Sequence, residues 1–275
     1  MIPISYNIRS LTTRSSSTLA AGFGIALVVF VFAAVSMLST GIRDTLKSAG
    51  SDANAIIMRK SSQVELQSVV EGETLSLLRA APEAAQGANG AMVTGEIVVL
   101  IALPRIGGAP GAISNVGVRG TDAMSMELRP RVKLSEGRMF KPGTDEVIVG
   151  KSLIGKVEGL QVGKTVKLKA TRSVTVVGVF SADGTSLESE MWADVDSLRS
   201  MFGRENSFSS ITLRMKDKAA FDALQNRMAA DPRLGLEAKR EDVYYDEQSQ
   251  GLATFISVLG TVIAVFFSIG AMIGA

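Results

Sequence analysis

The stretch "RSLTTRSSSTLAAGFGIALVVFVFAAVSML" (Arg9–Leu38) decides the fold, because two arginines precede a long run without charge. No ionisable side chain occurs between residues 15 and 42. As a helix, the segment Leu19–Leu38 spans about 30 Å, the thickness of the hydrocarbon core of a bilayer. A cleaved secretory signal has a shorter apolar core, and a buried core helix is the third alternative. The length favours a permanent transmembrane helix over residues 18–42.

A second apolar run, "LATFISVLGTVIAVFFSIGAMIGA" (Leu252–Ala275), lies at the other end of the chain. No acidic or basic side chain follows Glu247. This run is also long enough to span a bilayer, and it predicts a second transmembrane helix over residues 250–275. About 200 residues separate the two runs, which is the size of one or two folded domains.

Charge before the first run indicates the orientation of the chain. The segment Met1–Arg14 contains Arg9 and Arg14 and no acidic residue, so the positive-inside rule places it in the cytoplasm. The large middle region then lies outside the cytoplasm. Apolar side chains at helical spacing near the N-terminus predict an interfacial helix over residues 1–17, with a disordered tail as the alternative.

The composition excludes several functional classes. The 275 residues carry a net charge of +2, so no basic footprint for nucleic acid is visible. Histidine and cysteine are both absent, which removes imidazole acid–base chemistry, thiol nucleophiles and the usual zinc ligands. We therefore expect no catalytic residue, no cofactor and no metal site in this chain.

The middle region begins and ends with the same pattern of strand, helix and strand. Apolar residues alternate in the predicted strands and recur at helical spacing in the predicted helices. Two such halves, distant in sequence, predict one split α/β subdomain over residues 43–114 and 207–247. The predicted elements are Asn54–Ser62, Ser68–Ala84 and Ala91–Leu103 in the first half, and Ser209–Asp217, Lys218–Pro232 and Leu234–Asp242 in the second.

Residues 115–206 differ from both halves, because short β runs alternate there with glycine-rich turns. They predict a β-rich inserted subdomain with one helix at Val195–Gly203. Within it, "GTDEVIVGKS" (Gly143–Ser152) ends like a phosphate-binding loop. Asp145 stands where that motif requires glycine, so we interpret the stretch as a strand that ends in a turn.

Other polar and aromatic side chains of the middle region have ordinary structural interpretations. Carboxylates two residues apart are typical of solvated surface, which we expect for Glu188, Glu190, Asp194 and Asp196. Trp192 is predicted to be a core residue.

Residues near the two apolar runs have roles that depend on the membrane. An aromatic pair just before the second run, Tyr244 and Tyr245, predicts an anchor at the level of the lipid headgroups. Small residues four apart let membrane helices approach closely, although glycine is also common in such helices for other reasons. The predicted helix-packing residues are Ala20, Gly24, Gly260, Ala264, Gly270 and Gly274.

The order and spacing of several segments resemble the permease subunits of MacB/FtsX-type ABC transporters. The resemblance covers essentially the whole chain, although no single segment is specific. The segments are "NIRSL" (from Asn7) with the first apolar run, "VGVRGTD", "LSEGRMF", "DEVIVGKSL", "LQVGKTVKL", "VTVVGVFSA", "MWADVDSLRSMFG" and "FISVLGTVIAVFFSIGAMIGA".

The resemblance implies a fold and a mode of action. It implies an α+β membrane protein of the bacterial inner membrane, with two transmembrane helices flanking an extracytoplasmic split α/β domain and its β-rich insertion. Family members dimerise in the lipid bilayer and associate with an ABC ATPase on the cytoplasmic side. They relay its motion to the outer domain, where substrate is exported or a periplasmic partner is activated. Family members also have a third and a fourth span, so we expect this chain to be a fragment.

Two other functions are compatible with the same layout. A membrane-anchored extracytoplasmic sensor also places an outer domain between two spans, and an FtsX-like protein activates a cell-wall enzyme. A membrane-tethered hydrolase is disfavoured, because it needs a nucleophile and a base that the composition hardly supplies.

Overall fold

Long terminal helices and a large sheet account for most of the computed structural model, which describes residues 15–230 and 235–274. The segment Thr45–Gln248 forms one compact unit, and the described residues before and after it form another. The helices are α1 (Ser15–Lys47), α2 (Gly72–Arg79), α3 (Met124–Leu128), α4 (Val195–Phe202), α5 (Ala220–Ala230) and α6 (Glu241–Gly274).

Most of the described strands have 6 residues or fewer, and three are longer, with 12, 9 and 10 residues. The described strands are β1 (Asn54–Arg59), β2 (Val70–Glu71), β3 (Gln86–Gly87), β4 (Gly90–Ala91), β5 (Val93–Pro104), β6 (Ile113–Thr121), β7 (Lys133–Gly137), β8 (Glu146–Gly150), β9 (Thr165–Lys169), β10 (Arg172–Ser181), β11 (Glu190–Asp194), β12 (Ser207–Phe208), β13 (Ser210–Arg214) and β14 (Leu236–Arg240).

Ten of the described strands join in one mixed sheet, in the order β14-β1-β13-β5-β6-β11-β8-β10-β7, with β9 also paired to β10. Strand β5 connects the two halves of this sheet. Its first residues pair with β13, and from Ile97 onward it pairs with β6. The sheet is therefore continuous across residues 114 and 115, the predicted boundary of the inserted subdomain, which lies inside β6.

The predicted mixed α/β domain between two apolar helices is confirmed. Both strand–helix–strand halves form, with β1, α2 and β5 in the first and β13, α5 and β14 in the second. The helix predicted in the β-rich part is α4, which Asp194 caps by accepting a hydrogen bond from the Ser197 amide. The stretch that resembles a phosphate loop is the buried strand β8, followed by a 3₁₀ turn at Lys151–Leu153.

Helices α1 and α6 are each long and apolar enough to cross a membrane. The share of buried residues in their most apolar segments is 0% and 6%. A core helix of a soluble protein would be mostly buried, so that alternative does not describe either helix. The two helices contact each other at Gly260, where an added Cβ would lie 2.5 Å from Val35 Cγ1.

Three apolar clusters hold the unit Thr45–Gln248 together. One packs the β-rich part, including Leu198 of α4, against β5. A second packs α2 and α5 on one face of β1 and β13. The third contains Trp192, which is fully buried as predicted, together with Tyr244 and Tyr245 from the start of α6.

Candidate functional site: a buried charge network at the start of helix α6

One face of the central strands carries charged side chains in the protein interior. Three of them project from neighbouring strands, and the others come from a 3₁₀ turn, from the residue after α3 and from the first residue of α6. We call this group the charge network; it consists of Glu65, Glu96, Arg119, Arg129, Glu190 and Glu241. Five of the six are buried, and Glu190 is half-buried.

The strand register explains how the network assembles. Arg119 of β6 stands beside Trp192 of β11, and the next β6 residue on the same face, Thr121, donates to Glu96 of β5. Side chains two residues apart in a strand share a face, so alternate positions of β5, β6 and β11 meet on one side of the sheet.

Arg119 lies at the centre of the network and uses all five of its N–H groups. Its Nε and Nη2 donate to Glu190 at 2.8 and 2.9 Å. Nη1 and Nη2 donate to Glu65 at 2.8 and 3.0 Å, and Nη1 also donates to Glu96 at 2.7 Å. A guanidinium has no further donor, so Arg119 is fully satisfied by carboxylates.

Arg129 joins Glu96 to the rest of the network. Its Nη1 and Nη2 donate to the two oxygens of Glu96 at 2.5 and 3.0 Å. Glu96 also accepts a hydrogen bond from Ser125 Oγ at 2.7 Å. Burial opposes ionisation of Glu96, but Arg129 and Arg119 outweigh that effect and lower its pKa to about 2. Glu96 is therefore a carboxylate at neutral pH.

Glu241 connects the network to helix α6, because it is the first residue of that helix. Its Oε2 accepts hydrogen bonds from the Ser51 amide at 3.1 Å and from Asn54 Nδ2 at 2.9 Å. Its Oε1 lies 3.1 Å from Arg129 Nη2. A Cβ at Gly50 would lie 2.6 Å from the Glu241 carbonyl oxygen, so the chain after α1 passes tightly against the start of α6.

The contacts around Glu241 are less complete than those around Arg119. Its ion pair with Arg129 lacks hydrogen-bond alignment, and within the described residues Glu241 Oε1, Arg129 Nε and Tyr245 Oη have no hydrogen-bond partner. The network also places four carboxylates against two guanidinium groups. Charge and geometry therefore leave the α6 end of the network as its least saturated part.

The predicted headgroup anchor at Tyr244 and Tyr245 is wrong. The two side chains are 1% and 5% exposed, and they belong to the apolar cluster around Trp192. The Glu65 amide donates to Tyr244 Oη at 3.1 Å. Both rings lie in the first turns of α6, which are covered by the domain, so they fix the helix to protein rather than to lipid.

The interpretation of the paired carboxylates as solvated surface is also wrong, except for Asp196. Glu190 belongs to the charge network, and buried Asp194 caps α4. Glu188 accepts hydrogen bonds from the Ala182 and Gly184 amides. Asp196 is 78% exposed. Local spacing does not reveal the partners of Glu190 and Glu188, which come from another strand and a loop, whereas Asp194 caps the helix that follows it.

The predicted topology and packing residues fall in several places. Arg9, Arg14 and residues 1–14 of the predicted interfacial helix lie outside the described residues, whereas residues 15–17 of that prediction and Ala20 lie in α1. Gly24 and Gly270 line an apolar cavity of about 280 Å³ with Phe266 and Phe267. Gly260 contacts α1, Ala264 follows it one turn later, and Gly274 is the last residue of α6. Their role in helix packing stays a prediction.

The charge network was not predicted from the sequence, although one signal for it is present there. Glu96 and Arg119 interrupt segments of apolar and small residues that are buried on both sides of the sheet. A lone charge inside such a segment needs a buried partner of opposite sign. On this basis Glu96 could have been paired with Arg119, but Glu65 and Glu241 could not have been identified.

The fold and this site define a mixed α/β domain with a buried charge network between two apolar helices. Residues 17–231 match the family model described as the MacB-like periplasmic core domain, and the chain belongs to this family. The chain therefore contains the MacB-like periplasmic domain of an ABC transporter permease. The comparison with curated proteins gave no match.

Three of the solved structures to which this chain is similar are the following. The periplasmic region of MacB from Actinobacillus actinomycetemcomitans is 14% identical, with a TM-score of 0.49, over 77% of this chain and 97% of that one. The extracellular domain of the ABC-type transporter YknZ from Gram-positive bacteria is 18% identical, with a TM-score of 0.48, over 68% and 99%. A domain of a putative permease from Porphyromonas gingivalis is 15% identical, with a TM-score of 0.42, over 69% and 92%.

Proposed function

We propose that this chain is the membrane and extracytoplasmic part of a multi-pass ABC transporter permease in the bacterial inner membrane. It acts as a dimer with a separate cytoplasmic ATPase and transmits the motion of that ATPase to the outer domain. Substrate is exported or extracted on the outer side, together with a periplasmic partner. The chain performs no catalysis of its own and needs no cofactor.

The observation that carries this proposal is the continuity of α6. The helix has 34 residues, which corresponds to a length of about 50 Å. It begins with Glu241 inside the charge network and continues into the apolar run without a break. A helix transmits displacement along its axis because its backbone hydrogen bonds resist stretching and bending.

The network makes the attachment at the outer end stiff. Moving Glu241 away from Arg129, Asn54 and Ser51 would leave a buried carboxylate without partners, and losing one partner of a buried ion pair typically costs about 3–5 kcal/mol. Tyr244 and Tyr245 add an apolar attachment one turn further along the helix. A movement of α6 is therefore passed to the sheet that carries Glu96 and Arg119 instead of being absorbed at a flexible joint.

The test uses the complete permease that contains this chain, reconstituted with its ATPase in liposomes. Glu241→Ala should leave basal ATP hydrolysis near normal and lower transport per ATP hydrolysed, because the helix loses its ionic attachment to the sheet. Asp196→Ala is the matched control, since Asp196 is an exposed carboxylate in α4. Transport per ATP that stays unchanged in Glu241→Ala would contradict the proposal.

A further inference from the structure

Strand β14 is an edge of the large sheet within the described part of the chain. It pairs with β1 on one side, from Ala55 opposite Arg240 to Arg59 opposite Leu236. On its other side, the Ala238 carbonyl accepts a hydrogen bond from Gln225 Nε2 of α5 at 3.3 Å. An edge strand exposes main-chain donors and acceptors that can pair with another strand.

A groove runs along this edge between two helices. It has a volume of about 710 Å³, within the range of ligand pockets. Phe221 and Met228 of α5 line one wall, Val243 and Glu247 of α6 line the other, and β14 runs along its length. Val243 is 43% exposed, whereas Met228 is 6% exposed, so the groove has an apolar wall and an accessible rim.

The hydrogen bond of the Ala238 carbonyl shows which main-chain groups of β14 face the groove. In an antiparallel pair, alternate residues point both their N–H and C=O groups toward the same neighbouring strand. Because the Ala238 carbonyl faces Gln225 rather than β1, the main-chain groups of Leu236 and Arg240 also face the groove. Main-chain groups at three positions over five residues thus face the groove, and one of these groups, the Ala238 carbonyl, is already hydrogen-bonded to Gln225.

The charges of the groove differ between its two ends. Lys239 pairs with Glu247 at 2.7 Å, and the Arg240 guanidinium donates to the Asp52 and Lys218 carbonyls. Lys60 stands at the other end, where its amide donates to the Gly235 carbonyl. Its side chain is exposed and pairs with no described carboxylate. Among the described side chains, this end of the groove thus carries Lys60, which has no described anionic partner, and Glu237, which lies 3.9 Å from Lys239.

We propose that this groove binds an extended segment of a partner protein, which adds to β14 as a further strand. The segment is about five residues long, matching β14, with apolar side chains at alternate positions against the α5 wall. A carboxylate at one end of the segment pairs with Lys60. This binding site goes beyond the relay proposed above, and neither proposal depends on the other.

The test measures peptide binding to the full chain in detergent by fluorescence polarisation. The probe is a labelled heptapeptide with glutamate at position 1 and valine at positions 2, 4 and 6. In an added strand only every second amide faces β14. N-methylation of one alternate set of amides should therefore weaken binding about tenfold or more, and methylation of the other set should leave binding almost unchanged.

Two protein variants test the orientation of the bound segment. Lys60→Glu should weaken binding of the glutamate peptide and strengthen binding of a peptide with lysine at position 1. Lys167→Glu, at an exposed site on β9, should change neither affinity. Both substitutions are at the surface, so the fold is kept.

Three outcomes would overturn the proposal. They are the absence of saturable binding up to about 1 mM peptide, equal effects of the two N-methylated sets, and equal effects of Lys60→Glu and Lys167→Glu. Sedimentation of the full chain adds a further check. Dimerisation that is abolished by Val243→Lys, without peptide binding, would assign the edge to a second copy of the chain instead.

Discussion

The two faces of strand β13 bury opposite kinds of side chain. Ile211 and Leu213 point into an apolar cluster with α2 and α5. Ser210 and Thr212 are equally buried but contact the charge network, where Ser210 Oγ donates to Glu65 at 2.6 Å. The apolar face gains stability from area removed from water. The polar face gains little net stability, because buried charges lose their hydration, but it fixes which groups must meet.

The two faces of this sheet therefore contribute different properties to the protein. The apolar face tolerates other side chains of similar volume. The charged face accepts α6 in one position, since Glu241 finds its donors only beside Arg129, Asn54 and Ser51. We therefore expect substitutions on the two faces to differ in what they disturb as well as in how much they destabilise.

The largest effect is expected for Arg119→Ala. It leaves Glu65, Glu96 and Glu190 without their shared cation, and it should lower the free energy of unfolding by about 3–5 kcal/mol or more. Denaturant unfolding of the detergent-solubilised chain can be followed by the fluorescence of Trp192, its one tryptophan.

A second variant keeps this prediction testable if Arg119→Ala does not fold. Arg119→Met combined with Glu65→Gln removes one cation and one anion together, so it should be more stable than Arg119→Ala. If Arg119→Ala instead unfolds like the unmodified chain, the network contributes nothing to holding the sheet together.

Leu213→Ala should give the next largest loss, about 2–4 kcal/mol, because it leaves a cavity in the apolar cluster. Its effect on function should differ from its effect on stability. In the reconstituted permease, transport per ATP should stay near normal at a temperature where the variant is folded, whereas Glu241→Ala lowers it. A coupling defect in Leu213→Ala as large as that in Glu241→Ala would remove the distinction between the faces.

The sequence predicted the elements of this sheet but not the chemistry of its second face. Strand β13 alternates polar and apolar residues, a pattern that usually places the polar side in water. Here that side is buried beneath Glu65 and Arg119, which come from distant segments. The alternation of polar and apolar residues shows which side chains of a strand share a face. Whether that face is buried depends on the segments that pack against it.

The error at Tyr244 and Tyr245 has a similar cause. The sequence indicates the apolar run that follows them, and aromatic residues beside such a run commonly lie at the membrane interface. How many turns of α6 the domain covers depends on tertiary packing, which no local pattern contains. Charge spacing failed at Glu190 for the same reason, since its partner Arg119 lies in another strand.

A smaller effect is expected where α1 and α6 contact each other in an apolar setting. Gly260→Ala places a Cβ against Val35, so the two helices must separate slightly, at a cost of about 1 kcal/mol. Gly270→Ala is the matched control, because a Cβ there meets no atom within 4 Å.

The separation can be measured by disulfide crosslinking, since the chain has no cysteine of its own. Ser39 Oγ lies 3.4 Å from the Ala253 carbonyl oxygen, so Ser39→Cys and Ala253→Cys report contact between the helices. Crosslinking should fall about fivefold in Gly260→Ala and remain unchanged in Gly270→Ala. Equal yields in both variants would refute a specific contact at Gly260.

The smallest effect is expected for Arg138→Ala, which tests whether exposed ion pairs resemble the network. Arg138 donates to Glu146 at 2.5 and 2.7 Å and, as the main cause, lowers the pKa of Glu146 to about 2. The pKa of Glu96 is also about 2. A carboxyl group whose pKa is lowered in the folded state stabilises the fold at pH values above its ordinary pKa of 4.5. This stability is lost as the pH falls toward 2. Water and salt screen the exposed pair, whereas Glu96 is fully buried.

Arg138→Ala should therefore leave the acid unfolding curve between pH 4.5 and 2 almost unchanged, and 1 M salt should remove any difference from the unmodified chain. The unmodified chain should still lose stability over that interval in 1 M salt, because the partners of Glu96 exclude solvent ions. A salt-sensitive curve that Arg138→Ala flattens would instead place the acid response at the surface and leave the network without a measurable part in it.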